Sequence, residues 1–156
     1  MQVKEVMSKE VITVKRSTTL KRLLEIFAKF HIFPLVPVIG EDNLLIGIVS
    51  FRNLVNVFQL RQPEILKAVP FLDEGEEDIF KVEFTEEIGS LVVAEDIMEN
   101  KFITIQEDAS LEEAYKLMKL HLKEEFPVVD RFGKLAGMIG IFDIIRYVFR
   151  HRGVIK

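Results

Sequence analysis

The stretch Phe126–Ile144, FPVVDRFGKLAGMIGIFDI, decides the fold. Two short apolar runs, Phe126–Val129 and Leu135–Ile139, flank the turn Asp130-Arg131-Phe132-Gly133. Strand-forming runs around an Asp-x-x-Gly turn predict a hairpin with a longer loop. The chain then passes Gly140 into a helical pattern opening near Asp143. An acidic side chain suits that place, because a helix start exposes backbone N–H groups and the positive end of its dipole.

The same stretch occurs a second time, as FPLVPVIGEDNLLIGIVSFRNL from Phe33 to Leu54. Pro37-Val38 falls on Pro127-Val128, Glu41-Asp42-Asn43 on Arg131-Phe132-Gly133, Gly47 on Gly137 and Asn53-Leu54 on Asp143-Ile144. Upstream, VKEVMSKEVITV (Val3–Val14) falls on AEDIMENKFITI (Ala94–Ile105), which aligns Met7 with Met98 and Thr13 with Thr104. A repeat settles architecture before any local detail does. Two copies are too few for a solenoid and fit a pseudo-symmetric pair closing one core.

Within each copy the periodicity predicts an entry turn or helix at Val3–Met7, a strand at Val11–Val14 and a helix from Leu20 to about Phe30 capped by Thr18-Thr19. Leu20, Leu23, Leu24 and Phe27 make one buried stripe at helical spacing. In the second copy Ser110 and Glu113 form a capping box, and Leu111, Ala114, Tyr115, Met118 and Leu122 form the stripe. The last helices are expected from Arg52 toward Leu60 and from Phe142 toward Arg150, so each copy reads strand, helix, strand, strand, helix. The organisation expected is copy one at 1–60, a connector at 61–92 and copy two at 93–156. The connector holds the acidic run Asp73–Asp78, a short strand or helical turn at Ile79–Phe84, and Phe71, Phe80 and Phe84, which could cover the core or join a subunit contact.

Composition bounds the function. The chain has 156 residues, of which 49% are hydrophobic and 29% charged, a folded composition with material for a real core. Cysteine is absent, which removes disulfides, thiolate metal sites and Cys catalysis. No apolar run reaches the ~18 residues of a membrane helix and no signal core opens the chain, so a cytoplasmic protein is expected. A net charge of −4 argues against nucleic acid as a partner. His31, His121 and His151 are scattered, without metal-ligand spacing, and no catalytic motif is present, so the chain reads as no enzyme.

The ordered set V-x-x-V-M, I-T-V, P-V and G-I-V-S-x-x-N-L, followed by D-I-M, I-T-I, F-P-V-V-D and G-K-L-x-G-M-I-G-x-x-D-I, resembles a tandem pair of cystathionine β-synthase (CBS) domains, a Bateman module. The resemblance implies an α/β (α+β) fold, a pseudo-twofold pair of βαββα motifs packed sheet to sheet, with clefts that take AMP, ADP, ATP or S-adenosylmethionine. No cofactor is required under that reading. It further implies a stand-alone regulatory sensor, expected as a homodimer, with an adenosine-type ligand and an unidentified protein partner. The runner-up is a ligand-free dimerisation scaffold whose nucleotide motifs are degenerate.

The family motif G-h-h-[ST]-x-x-D uses its hydroxyl for phosphate and its aspartate for ribose. Copy one, Gly47 to Asn53, keeps the hydroxyl at Ser50 and has asparagine for the aspartate; copy two, Gly137 to Asp143, keeps the aspartate and has Gly140 for the hydroxyl. The resemblance therefore assigns ligand contacts to Ser50, Asn53, Gly140 and Asp143, to Thr13 and Thr104 of the I-T-V segments, and to Val38, Phe126 and Val128 around Pro-Val. Arg52 is a further candidate for a phosphate contact, although a solvated arginine on a helix is the commoner case. Asp143 is the strongest candidate, since a carboxylate accepts charge-assisted bonds from two vicinal hydroxyls. The bland alternative makes Asn53 and Asp143 helix caps and Thr13 and Thr104 ordinary strand residues.

Overall fold

Each half of the chain builds one three-stranded sheet, and the computed structural model describes residues 1–30, 35–58 and 86–156. The elements in order are α1 (Val3–Val6), β1 (Val14–Lys15), α2 (Leu20–Phe27), β2 (Leu35–Ile39), β3 (Leu45–Ser50), α3 (Phe51–Phe58), α4 (Glu86–Leu91), α5 (Ala94–Ile97), β4 (Ile105–Gln106), α6 (Leu111–His121), β5 (Glu125–Val129), β6 (Leu135–Gly140) and α7 (Ile141–His151). The sheets run β1-β2-β3 and β4-β5-β6. In each, the first pair is parallel and the second is an antiparallel hairpin, with matching registers and a bulge at the same place, Val38/Ile39 and Val128/Val129.

The hairpins close as the turn residues demand. Asp130 Oδ1 accepts from the Phe132 N–H at 2.8 Å and the Lys134 N–H at 3.0 Å, and Gly133 sits at φ 79°. Copy one has Asn43 there at φ 63°, an asparagine tolerating the left-handed region that glycine enters freely. The two hairpins meet on the pseudo-twofold axis, where Leu44 bridges Lys134. Caps hold the helices: the Thr19 hydroxyl accepts from Arg22 N–H at 3.2 Å, and Ser110 and Glu113 exchange bonds of 3.1 and 3.0 Å.

Two cores result, and each borrows its first helix from the other half. Val3 and Met7 are buried with Ile105, Leu111, Ala114, Met118, Phe126, Val128, Ile139 and Ile144. Ala94 is buried with Val14, Leu20, Leu23, Ile26, Val36, Val38, Val49 and Leu54. The segments after α1 and α5 then pair across the halves. Ser8 and Met138 exchange two backbone bonds of 2.9 Å, and Glu99 and Ile48 exchange bonds of 2.9 and 3.0 Å. Ile48 and Met138 lie opposite Pro37 and Pro127. Their own backbone groups point away, so the hairpins ask no N–H of either proline on that side.

Several expectations change. The Val11–Val14 strand shrinks to Val14–Lys15, with Ile12 exposed. The first long helix ends at Phe27, and Ile26 joins Leu20 and Leu23 in the core while Leu24 and Phe27 pack at its edge. Leu122 leaves the predicted stripe: it terminates α6 at φ 52° and is 89% exposed. The last helices begin one residue earlier, at Phe51 and Ile141. The connector's end, Glu86–Leu91, is helical and packs on α2. The expectations for Phe71, Asp73–Asp78 and Ile79–Phe84, and for His31 and Leu60, lie outside the described residues.

Gly137 and Gly47 allow the crossing. A Cβ on Gly137 would lie 2.5 Å from the Ser8 carbonyl oxygen and 2.8 Å from Met7 Sδ; one on Gly47 would lie 2.5 Å from Met98 Sδ and 3.1 Å from the Glu99 carbonyl oxygen. Overpacking of this kind costs about 1–3 kcal/mol. Gly137→Ala is expected to lower the melting temperature by several degrees, and Gly47→Ala by less, because a methionine tip yields more readily than a backbone carbonyl. Thermal unfolding followed by circular dichroism checks the order; equal melting temperatures for both variants and the parent would contradict the close crossing.

Candidate functional site

The motif residues gather where each sheet hands over to its last helix. In copy two the Gly140 N–H donates to Asp143 Oδ2 at 2.8 Å, and the Arg146 guanidinium stands 3.8 Å from Oδ1. A carboxylate offers about four lone-pair sites, so this cap leaves Asp143 acceptor capacity. Its side chain is 22% exposed and opens on a cavity of about 280 Å³ shared with Glu5, Arg146, Tyr147, Arg150 and His151. In copy one Asn53 Oδ1 accepts from the Ser50 N–H at 2.7 Å and from the Ser50 hydroxyl at 2.9 Å, while Asn53 Nδ2 donates to Glu99 Oε1 at 3.3 Å. Both side chains therefore close a helix N-terminus, whatever else they do.

The threonines hold equivalent places in the two halves, one residue ahead of the paired part of each first strand. Thr13 and Thr104 immediately precede Val14 and Ile105, which pair with Val38 and Val128. At the far ends of the hairpins Leu35 pairs with Ser50, and Glu125 with Gly140. Val38 and Val128 are fully buried and Phe126 nearly so; their side chains fill the two cores. Arg52 is exposed on the first turn of α3.

Two carboxylates near these helix starts escape a reading of motifs. Glu125 opens β5 opposite Gly140. Burial pushes its carboxyl above the usual carboxylate range and the nearby Asp143 charge adds to this, while a hydrogen bond from the Leu35 backbone of the other half opposes both. Glu99 reaches Asn53 from the exchanged segment. The available signals are a charge just ahead of the Phe126-Pro127-Val128 run, where copy one has Leu35, and a glutamate aligned with Ser8. Among the described residues no group of three or more His, Asp or Glu could hold a metal ion, and no helix is long and apolar enough to cross a membrane.

Comparison with known proteins names the fold. The CBS domain model matches residues 3–60 and 93–150, and the chain belongs to that family as a tandem pair. It is 31% identical over 143 residues to a CBS domain-containing protein of Dictyostelium discoideum, covering 92% of this chain and 88% of that one. It is 30% identical over 135 residues to the inosine-5'-monophosphate dehydrogenase of Aquifex aeolicus, covering 86% of this chain but only 22% of the enzyme. Among solved structures, CBSX2 in complex with AMP superposes with a TM-score of 0.71 at 22% identity, covering 97% of this chain and 98% of that chain. A CBS domain pair in complex with 5'-methylthioadenosine and S-adenosyl-L-methionine superposes with a TM-score of 0.64 at 20% identity and the same coverage.

Glu125 gives the site a pH signature. A carboxyl with a raised folded-state pKa is destabilising when ionised, so its penalty is absent below the ordinary value of 4.5 and complete once pH exceeds the folded-state value. Glu125→Gln keeps an acceptor for Leu35 and removes the charge. The variant is expected to melt higher than the parent at pH 7, with the difference closing as pH falls through the folded pKa toward 4.5. A pH-independent difference in melting temperature would contradict this account.

Proposed function

We propose that this chain is a regulatory CBS pair that binds an adenosine-containing ligand beside the starts of its last helices and transmits its presence as a change of shape. The observation that carries the reading is Asp143: one carboxylate oxygen caps α7 and the other stands 3.8 Å from the Arg146 guanidinium, with both residues lining an open cavity. That is an acceptor for vicinal hydroxyls beside a cation for phosphate. Neighbours of this fold are solved with AMP and with S-adenosyl-L-methionine, ligands that share adenosine and differ in charge. No step of chemistry is proposed at the site. A ligand shifts such a protein only by its difference in affinity for the two shapes.

A second reading, the dimerisation scaffold, draws on the exposed apolar face of α7. Phe142, Ile145 and Phe149 are 73%, 39% and 39% exposed, at spacings of three and four residues along one face. A homodimer fits both readings and does not separate them. A protein partner that hears the signal belongs to the first.

Calorimetric titration separates the two. The sensor reading expects saturable binding of AMP, ATP or S-adenosyl-L-methionine and none of GMP. Asp143→Asn, which keeps an acceptor for Gly140, should weaken binding about fivefold, the loss of roughly 1 kcal/mol when a charged acceptor becomes neutral. Absence of binding by all adenosine compounds at millimolar concentration would leave the scaffold.

A further inference from the structure

At the starts of α3 and α7 the two halves carry a carboxylate on different segments. Ser8 pairs with Met138 as Glu99 pairs with Ile48, each through two backbone hydrogen bonds, so Ser8 and Glu99 hold equivalent places. At the helix starts the equivalent residues are Asp143 and Asn53. The half with the acidic helix residue has neutral Ser8 at its crossing, and the half with neutral Asn53 has acidic Glu99 at its own. The charge has changed places between a helix and the segment that crosses to it.

The hydrogen bonds give this exchange a consequence. An amide oxygen has two lone pairs, and both on Asn53 Oδ1 are occupied by the N–H and hydroxyl of Ser50, at 2.7 and 2.9 Å. Asn53 therefore has no acceptor left for a sugar hydroxyl. What it still does is donate: Nδ2 holds Glu99 Oε1 at 3.3 Å. Glu99 is exposed, and one bond from Asn53 leaves most of its lone-pair sites free.

We propose that Glu99, delivered from the second half of the chain, is the carboxylate of the first cleft that accepts the vicinal hydroxyls of a ribose, with Asn53 as its positioning residue. The inference rests on the adenosine reading above and adds the residue that serves the first cleft. It makes the pair a two-site protein whose diol acceptors differ in length: an aspartate fixed by a helix cap in one cleft, a glutamate on the crossing segment in the other.

Titration with AMP, 2'-deoxy-AMP and S-adenosyl-L-methionine of the full chain and of its E99Q, D143N and double variants tests this. The amide oxygen introduced by E99Q still accepts from Asn53, so the melting temperature should hold. The parent is expected to bind at two sites. E99Q should weaken one about fivefold and D143N the other, with both weakened in the double variant. E99Q should weaken 2'-deoxy-AMP at its site less than it weakens AMP, because one of the two hydroxyls that Glu99 accepts is already gone, a difference that a merely structural role would not make. If D143N weakens AMP while E99Q binds it as the parent does, Glu99 is excluded and the adenosine reading stands. If the parent binds neither AMP nor S-adenosyl-L-methionine, both fall.

Discussion

The structure depends on two crossings in which backbone passes against a glycine. Met7-Ser8 runs over Gly137 and Met98-Glu99 over Gly47, so closely that a single Cβ would collide in either place. Each crossing joins a backbone pair to a hairpin residue that lies opposite a proline. Pro37 and Pro127 cannot donate, and Ile48 and Met138 face the crossing segments instead. Proline, glycine and crossing segment thus form one device, made twice. Because α1 is buried in the second core and α5 in the first, neither core is complete without chain from the other half.

That device explains what the sequence reveals and what it conceals. The repeat, the hairpins and the caps are local, so the periodicities and turn residues around Thr19, Ser110, Asp130 and Gly133 announce them directly. The exchange of first helices is not local. Val3 and Ala94 look like the start of the copy they precede, and only tertiary packing assigns them to the opposite one. The paired glycines and prolines are visible as matched letters, yet their reason lies in a backbone that arrives from far along the chain. Leu122 and Val11–Val14 depart from expectation because apolar character alone neither buries a residue once a helix has ended in the left-handed region nor extends a strand, and β1 pairs with β2 only over Val14 and Lys15.

The site follows the same division. Asn53 and Asp143 are legible because a motif marks them, and their capping bonds to Ser50 and Gly140 are short-range. Glu125 and Glu99 are not, because what matters about them is a neighbour from the other half: the Leu35 N–H for one, the Asn53 amide for the other. The same contacts that make the halves mutually dependent bring polar groups of one half into the cleft of the other. Under the proposed function, a ligand held there would touch both at once, which is the physical requirement for coupling occupancy to their arrangement.

Native-state hydrogen exchange at Ser8, Ile48, Glu99 and Met138 tests this interdependence most directly. Their amides form the two crossings, and exchange free energies separate local opening from global unfolding. The account predicts that all four open with the same free energy, equal to that of global unfolding measured by denaturant. Ser8 and Met138 opening well below Ile48 and Glu99, or the reverse, would mean that one half unfolds while the other stands, and the exchanged helices would not be what binds the pair.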